Sequence, residues 1–182
     1  QNPYQNFNMT FFWIMFVLLF TYLTAFVGDV FRFISPWRVL TDALPARWRQ
    51  GRFKYPERLA YWPALLLYIG FITLELFGKV SPQGLAALLC GYTVFNLLGV
   101  ALVGQQAWFR HVEFFAVFLR LVALMAPLSW HQRRVHWRMP GSGLIGQRAE
   151  SYSLVLFILF MLASTALDGL RGDLQTLPQR VD

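Results

Sequence analysis

Residues 9–30 read MTFFWIMFVLLFTYLTAFVGDV, and this stretch decides the fold class. It continues for 20 residues before its first charged side chain, Asp29. A helix of about that length crosses the hydrocarbon core of a bilayer, and in lipid a helix satisfies all its own backbone groups. No basic segment or cleavage site precedes the run, so we interpret it as a membrane span rather than a signal peptide. Because the chain begins with Gln1, we expect it to be part of a longer one.

The composition points to the same class of protein. Of the 182 residues, 57% are hydrophobic, 18% are aromatic and only 14% are charged, whereas a soluble domain is about 25% charged. Three further apolar runs occupy 59–77, 84–103 and 151–167. We therefore predict an all-α integral membrane helical bundle, with 1–182 forming a single membrane domain that contains four transmembrane helices.

A fifth segment, 113–128 (EFFAVFLRLVALMAPL), is ambiguous because it is shorter and carries two charges. If it is interfacial or re-entrant, the basic loops 32–58 and 129–150 lie on one side and, together with Arg110, place 12 of the 16 lysines and arginines there. This distribution fits the positive-inside rule, and that side is then cytoplasmic. The same boundary holds six tryptophans: Trp37, Trp48, Trp62, Trp108, Trp130 and Trp137. We predict four spans plus one interfacial or re-entrant helix; five spans is the alternative.

Charged residues at the cytoplasmic boundary are expected to be structural. Asp29 and Arg32 are three residues apart and can pair on one helix face. Pro36 then turns the chain, Trp37 is expected in the interface and Arg38 begins the basic loop. We expect four more residues to form ion pairs or interface contacts on this side: Arg110, His111, Glu113 and Arg120.

Two carboxylates lie at the opposite ends of their spans, and these are the candidates for chemistry. Glu75 follows the second apolar run and Asp168 follows the last one. Ionisable groups inside membranes are costly, so they are functional candidates by default. The alternative is interfacial pairing, because Lys79 and Arg171 are close in sequence.

The pattern of histidine and cysteine predicts no metal site. His111 and Glu113 form H-x-E, but the zinc deaminase motif also requires P-C-x-x-C, and Cys90 is the only cysteine. No pattern identifies a cofactor. The net charge of +7 is interpreted as a topology signal, because no RNA-binding or DNA-binding motif accompanies it, and we predict no nucleic-acid partner.

Several stretches together resemble a family of bacterial polytopic membrane proteins often labelled fenitrothion hydrolase. The resemblance covers nearly the whole chain, is to the C-terminal part of a longer protein, and includes SPWRVL, RLAYWPALLLYIGFITLELFG, GVALVGQQAWFRHVEFFAVFLRLVALMAPL and the terminal STALDGL. In this chain Ser35 stands where the family's turn usually has Asn, and Leu167 where its terminal motif often has Phe. The resemblance implies a polytopic fold and an organophosphate-cleaving activity, with no catalytic residue to carry over.

Three functions follow as hypotheses. The first is a non-catalytic or accessory subunit of a larger membrane complex of respiratory or photosynthetic type, in the bacterial inner membrane, with lipid and other integral membrane subunits as partners. The alternative is a component of a membrane-bound organophosphate hydrolase, with Glu75 and Asp168 as ligands or base. The third is a small transporter.

Overall fold

The computed structural model describes residues 11–77, 81–131, 134–145 and 147–176, and most of them are helical. The prediction of an all-α protein is therefore confirmed at the level of fold class. In chain order the elements are a π-helix (Phe11–Leu18) that continues into α1 (Leu19–Val27), α2 (Phe31–Ile34), α3 (Pro36–Asp42), α4 (Ala46–Arg49), a 3-10 turn (Glu57–Leu59), α5 (Trp62–Phe77), α6 (Pro82–Val103), α7 (Gln105–His111), α8 (Phe114–Ala123), β1 (Leu128–His131), β2 (Arg134–Trp137), a second 3-10 turn (Ser142–Leu144) and α9 (Tyr152–Thr176).

Among the described residues, one helix is long and apolar enough to cross a membrane by itself. This helix is α6, with 22 residues, a length of about 33 Å and a mean hydropathy of 2.0 in its most apolar window. Four shorter apolar helical stretches are Met15–Val27, Trp62–Glu75, Phe114–Ala123 and Tyr152–Leu167. The predicted spans 59–77, 84–103 and 151–167 thus fall on α5, α6 and α9, and the helical part of 9–30 ends at Val27.

Glycines turn the chain back at the ends of α1 and α6. Gly28 has φ of 96° and Gly104 has φ of 87°, a region that side chains disfavour and glycine adopts readily. At Gly104 a Cβ would also lie 2.8 Å from the carbonyl oxygen of Gln50. The two reversals direct the segments that follow back toward the bundle.

Helices α5 and α9 lie side by side and run in the same direction. At their starts, the backbone N–H of Tyr61 donates to Ser153 Oγ over 3.0 Å. About two turns further along α5 and three turns further along α9, the hydroxyls of Tyr68 and Ser164 are 3.1 Å apart. Since residue numbers increase together on both helices, the second and last predicted spans are parallel.

Helix α7 packs back along the end of α6. The indole ring of Trp108 lies so close to Gly99 that a Cβ there would be 2.1 Å from it. The Trp108 Nε1–H donates to Asn96 Oδ1 over 2.7 Å. A glycine for close approach and an amide as acceptor therefore hold α7 antiparallel to α6.

Helix α8 then returns along α5. Its first residue, Phe114, has its ring 5.1 Å from that of Phe71, and Arg120, two turns later, donates from Nη2 to the Tyr61 hydroxyl over 3.1 Å. Residue numbers thus rise on α8 as they fall on α5. We call α7 and α8 the inner hairpin; its apex lies at residues 112–113, beside the middle of the bundle.

The core around the inner hairpin is aromatic. The ring of Phe115 stacks on Trp37, with centroids 5.4 Å apart, and makes edge contacts with Phe16 and Phe71 at 5.6 and 5.3 Å. These contacts join the π-helix, α3 and α5 to α8. Buried ring pairs of this kind each contribute about 0.5–1.5 kcal/mol beyond the area that they bury.

The segment 113–128, predicted to be an interfacial or re-entrant helix, forms a shorter helix that ends at Ala123. Seven of its ten residues are buried and none of the ten is exposed. It is thus an internal helix of the bundle and lacks the exposed face that a helix lying on a surface presents.

The loop 129–150 contains structure that the sequence did not predict. Strands β1 and β2 pair antiparallel, with Leu128 opposite Trp137. Just beyond them, Arg138 donates from Nε to the carbonyl of Ala126 over 2.8 Å and from Nη2 to that of Ala123 over 2.7 Å. A cation placed on the last carbonyls of a helix is favourable, so Arg138 caps α8.

Candidate functional site

Glu113 lies at the apex of the inner hairpin and is fully buried. Its Oε1 accepts from the backbone N–H of Phe115 over 3.1 Å, and its Oε2 from that of Ala116 over 2.6 Å. The Tyr92 hydroxyl, from the middle of α6, donates a short hydrogen bond to Oε1. The carboxylate therefore acts as the N-cap of α8 and at the same time joins α8 to α6.

The polar groups around this carboxylate continue along α6. Asn96 Nδ2 donates to the Tyr92 carbonyl over 2.9 Å, and Asn96 Oδ1 accepts from Trp108, as described above. Asn96 is 1% exposed. Because buried polar groups are costly when unpaired, this chain of bonds fixes the position of the inner hairpin on α6.

An arginine-lined cleft of about 520 Å³ opens where α1 and α6 end. The segment after Gly28 forms one wall, and the inner hairpin forms the other. The charged residues that line this arginine cleft are Asp29, Arg32, Arg38, Asp42, Arg110 and Arg120. From the sequence, five of these residues were expected at the cytoplasmic boundary: Asp29, Arg32, Arg38, Arg110 and Arg120. The structure brings them together from the turn before α2 and from α2, α3, α7 and α8.

The Asp29 side chain contacts the backbone of Arg32. The carboxylate Oδ1 accepts from the Arg32 N–H over 3.3 Å. The two side chains form no ion pair with each other. The Arg32 guanidinium is exposed, and it makes no hydrogen bond or ion pair with a described residue.

The side chains of Trp37 and Arg38 have different surroundings although the two residues are adjacent in sequence. Trp37 is 5% exposed and donates from Nε1 to Thr93 Oγ1 over 3.2 Å, so its ring packs against other parts of the protein. The Arg38 guanidinium lies 5.0 Å from the ring centre of Phe109. Burial and the neighbouring charge of Arg32 lower the pKa of Arg38.

Arg110 and Arg120 belong to a network that the sequence did not predict. Arg110 Nη2 lies 3.0 Å from Glu150 Oε1, and the Tyr61 hydroxyl donates to Glu150 Oε2 over 2.6 Å. Arg120 donates to the same Tyr61 hydroxyl. The hydrogen bond from Tyr61 and the charge of Arg110 lower the pKa of Glu150. This network joins the inner hairpin to the start of α9.

His111 is stacked between two tyrosines. Its ring is 5.2 Å from that of Tyr55, nearly parallel at 7°, and 4.8 Å from that of Tyr61. Its Nδ1 is buried and has no hydrogen-bond partner within the described residues. Burial, together with the charges of Arg110 and Arg120, lowers the pKa of His111, and burial raises the pKa of Tyr55 to about 12.

The two candidate catalytic carboxylates, Glu75 and Asp168, lie toward the same ends of parallel helices. Glu75 is exposed and lines a cavity of about 190 Å³ that also reaches Tyr68 and Ser164. Asp168 continues α9 beyond Ser164, and its side chain lies outside the described part of the structure. Within the described residues, no group of three His, Cys, Asp or Glu is arranged to hold a metal ion.

Comparisons of the chain with protein-family models, with curated proteins and with solved structures found no match. The resemblance to the fenitrothion hydrolase family therefore stays a prediction.

Proposed function

We propose that the chain is a polytopic inner-membrane protein that serves as a non-catalytic subunit of a larger membrane complex. The observation that carries this proposal is the apolar outer surface. Only 17% of the most apolar window of α6 is buried within the chain, and large side chains such as Val94 and Leu98 are more than half exposed. Such a surface needs lipid or a protein partner to cover it.

The direction of the helices supports four spans over five. With four spans and an inner helix that does not cross, the second and last spans run the same way; with five spans they run in opposite directions. The parallel contacts of α5 with α9 agree with the first arrangement. In that arrangement the inner hairpin is re-entrant, with its apex near the middle of the membrane and its polar backbone covered by protein.

The topology is tested with single cysteines in a Cys90→Ser background and a membrane-impermeant maleimide. Gln83→Cys, at the start of α6, is expected to react in intact spheroplasts. Arg52→Cys and Gln147→Cys, in the two basic loops, are expected to react only after lysis. All three positions are exposed. Reaction of Gln147→Cys in intact spheroplasts would favour five spans.

The complex is tested by purifying the native protein in a mild detergent, identifying co-purifying proteins by mass spectrometry and assaying metals on the same sample. We expect other integral membrane proteins at a fixed stoichiometry. Recovery of the chain alone with bound metal would refute the proposal and favour the hydrolase alternative. Glu75→Gln and Asp168→Asn would then be expected to abolish organophosphate turnover while leaving the assembled protein intact.

Transport is a second candidate, because a buried carboxylate, Glu113, lies at the apex of the inner hairpin, at the start of α8. Intramembrane carboxylates at broken helices commonly bind protons or ions in transporters. If Glu113 carries a proton, Glu113→Gln will abolish proton flux into proteoliposomes that contain the purified protein. Unchanged flux, or absence of flux in the original protein, removes this candidate.

A further inference from the structure

Four guanidinium groups converge on the arginine cleft, two from each wall. Arg32 and Arg38 come from the segment after α1, and Arg110 and Arg120 come from the inner hairpin. We propose that the arginine cleft is a binding site for a phosphoryl group, carried either by an anionic lipid headgroup or by free inorganic phosphate. The lipid source rests on the membrane topology proposed above.

The carboxylates near the arginine cleft are fewer than its guanidinium groups. Asp42 is 3.6 Å from Arg49, which lies outside the cleft lining, and it accepts from Gln105 over 2.8 Å. Asp29 accepts the backbone N–H of Arg32 and forms no ion pair with a described residue. Glu150 neutralises Arg110. Two guanidinia, those of Arg32 and Arg38, therefore face the cleft without an ion pair to a described residue.

The same two arginines are close enough to repel each other. Burial and the charge of Arg32 lower the pKa of Arg38, and the charges of Asp29, Asp42 and Glu113 oppose this effect. An anion between like charges removes that repulsion, and a guanidinium fork matches the geometry of phosphate oxygens. Four guanidinium groups and two carboxylates line the cleft, so a bound anion would add to the compensation of its positive charge.

Two of the donors, Arg38 and Arg120, are held in place before any ligand arrives. Arg38 lies over the Phe109 ring and donates to the Arg32 carbonyl over 3.5 Å. Arg120 is held by the Tyr61 hydroxyl and by the Arg110 carbonyl, 3.3 Å away. Donors that are already ordered lose less entropy on binding. The cleft volume of about 520 Å³ is within the usual range for small-molecule sites.

The position also favours an anionic lipid. In the proposed topology the arginine cleft opens at the cytoplasmic leaflet, where lipid headgroups attract basic residues by about 1 kcal/mol for each arginine. The apolar outer faces of the neighbouring helices would then contact the acyl chains while the cleft holds the headgroup.

The test compares the original protein with Arg32→Gln, with the Arg32→Gln/Arg38→Gln double variant and with Arg52→Gln, an exposed arginine outside the cleft lining, as the matched control. Native mass spectrometry after exchange into equal amounts of phosphatidylglycerol and phosphatidylcholine measures retained lipid. A thermal melt in inorganic phosphate, against sodium chloride at equal ionic strength, measures free phosphate.

If a lipid headgroup is the ligand, the original protein and Arg52→Gln will retain phosphatidylglycerol over phosphatidylcholine by about fivefold or more, since two charge-assisted bonds are at stake. The double variant will lose this preference. If free phosphate is the ligand, phosphate will raise the melting temperature of the original protein and not that of the double variant.

Equal retention of both lipids together with no effect of phosphate overturns the proposal, as does an equal loss in Arg52→Gln. Arg32→Gln guards against misfolding, because its guanidinium bonds no described residue, and it is expected to show a partial loss at an unchanged melting temperature. These results are separable from the proposed function, because partner co-purification and cysteine labelling are measured on other samples.

Discussion

Replacing Glu113 with alanine is the most direct test of the inner hairpin. The change removes the N-cap of α8, whose two backbone N–H groups are 3.1 and 2.6 Å from the carboxylate oxygens. It also leaves the Tyr92 hydroxyl inside the bundle without its acceptor. We therefore expect Glu113→Ala to destabilise the folded protein strongly while leaving the surface unchanged.

The expected size of the effect follows from these bonds. Loss of an N-cap costs about 0.5–2 kcal/mol, and stranding a buried hydroxyl costs about 1–3 kcal/mol. Together they predict a loss of about 3 kcal/mol in the free energy of unfolding. Glu113→Gln keeps one side-chain oxygen as an acceptor and a similar shape, so its loss is expected to be smaller, about 1 kcal/mol.

The free energy of unfolding is measured by titrating sodium dodecyl sulfate into mixed micelles and following tryptophan fluorescence. Trp37 and Trp108 lie on the two sides of the apex and report its unfolding. Glu57→Ala, which removes an exposed carboxylate, is the control and should stay within about 0.5 kcal/mol of the original protein. If Glu113→Ala also stays within that limit, the stability of the inner hairpin does not depend on Glu113 and the prediction is refuted.

Two further predictions concern pH and packing. The pKa of Glu150 is lowered by the hydrogen bond that it accepts from Tyr61. The ionised Glu150 therefore stabilises the folded protein above the usual glutamate pKa, and this stabilisation is lost as the pH falls through the folded-state pKa. Glu150→Gln should reduce the drop in melting temperature between pH 7 and pH 4, and an unchanged drop would contradict this prediction. Gly99→Ala places a Cβ 2.1 Å from the Trp108 ring and should cost about 1–3 kcal/mol. Gly91→Ala, whose Cβ meets nothing within 4 Å, should be nearly neutral in the same unfolding titration.

The positions of the long helices were predictable because the signal is local. A run of apolar residues of sufficient length is read directly from the sequence, and α5, α6 and α9 lie where such runs are. The chain reversals were not predicted, since a glycine in an apolar run has several possible roles. At Gly104 the backbone also lies close to Gln50, which is far away in the sequence.

The candidate site was predicted only in part, because its contacts are distant in sequence. Arg110 and Arg120 were expected to lie on the same side of the bundle, and both line the arginine cleft. Their partner network was missed, since Tyr61 and Glu150 are 89 residues apart and neither has a local pattern that pairs them. Arg138 was counted only as a basic loop residue, although it caps α8.

Glu113 shows how depth in a bundle is decided by topology rather than by neighbours in sequence. It begins an apolar segment that was too short to be a clear span, so its sequence position indicated an interface. The inner hairpin instead carries it to the level of Tyr92, near the middle of α6. A cap and a proton carrier are two different roles for a carboxylate at that depth, and different measurements distinguish them. Its role as a cap is seen in the free energy of unfolding, where glutamine is a partial substitute. A role in proton transfer is seen in flux, where glutamine is no substitute at all. A variant that folds well and has lost flux would therefore move the functional interpretation from a scaffold subunit toward transport.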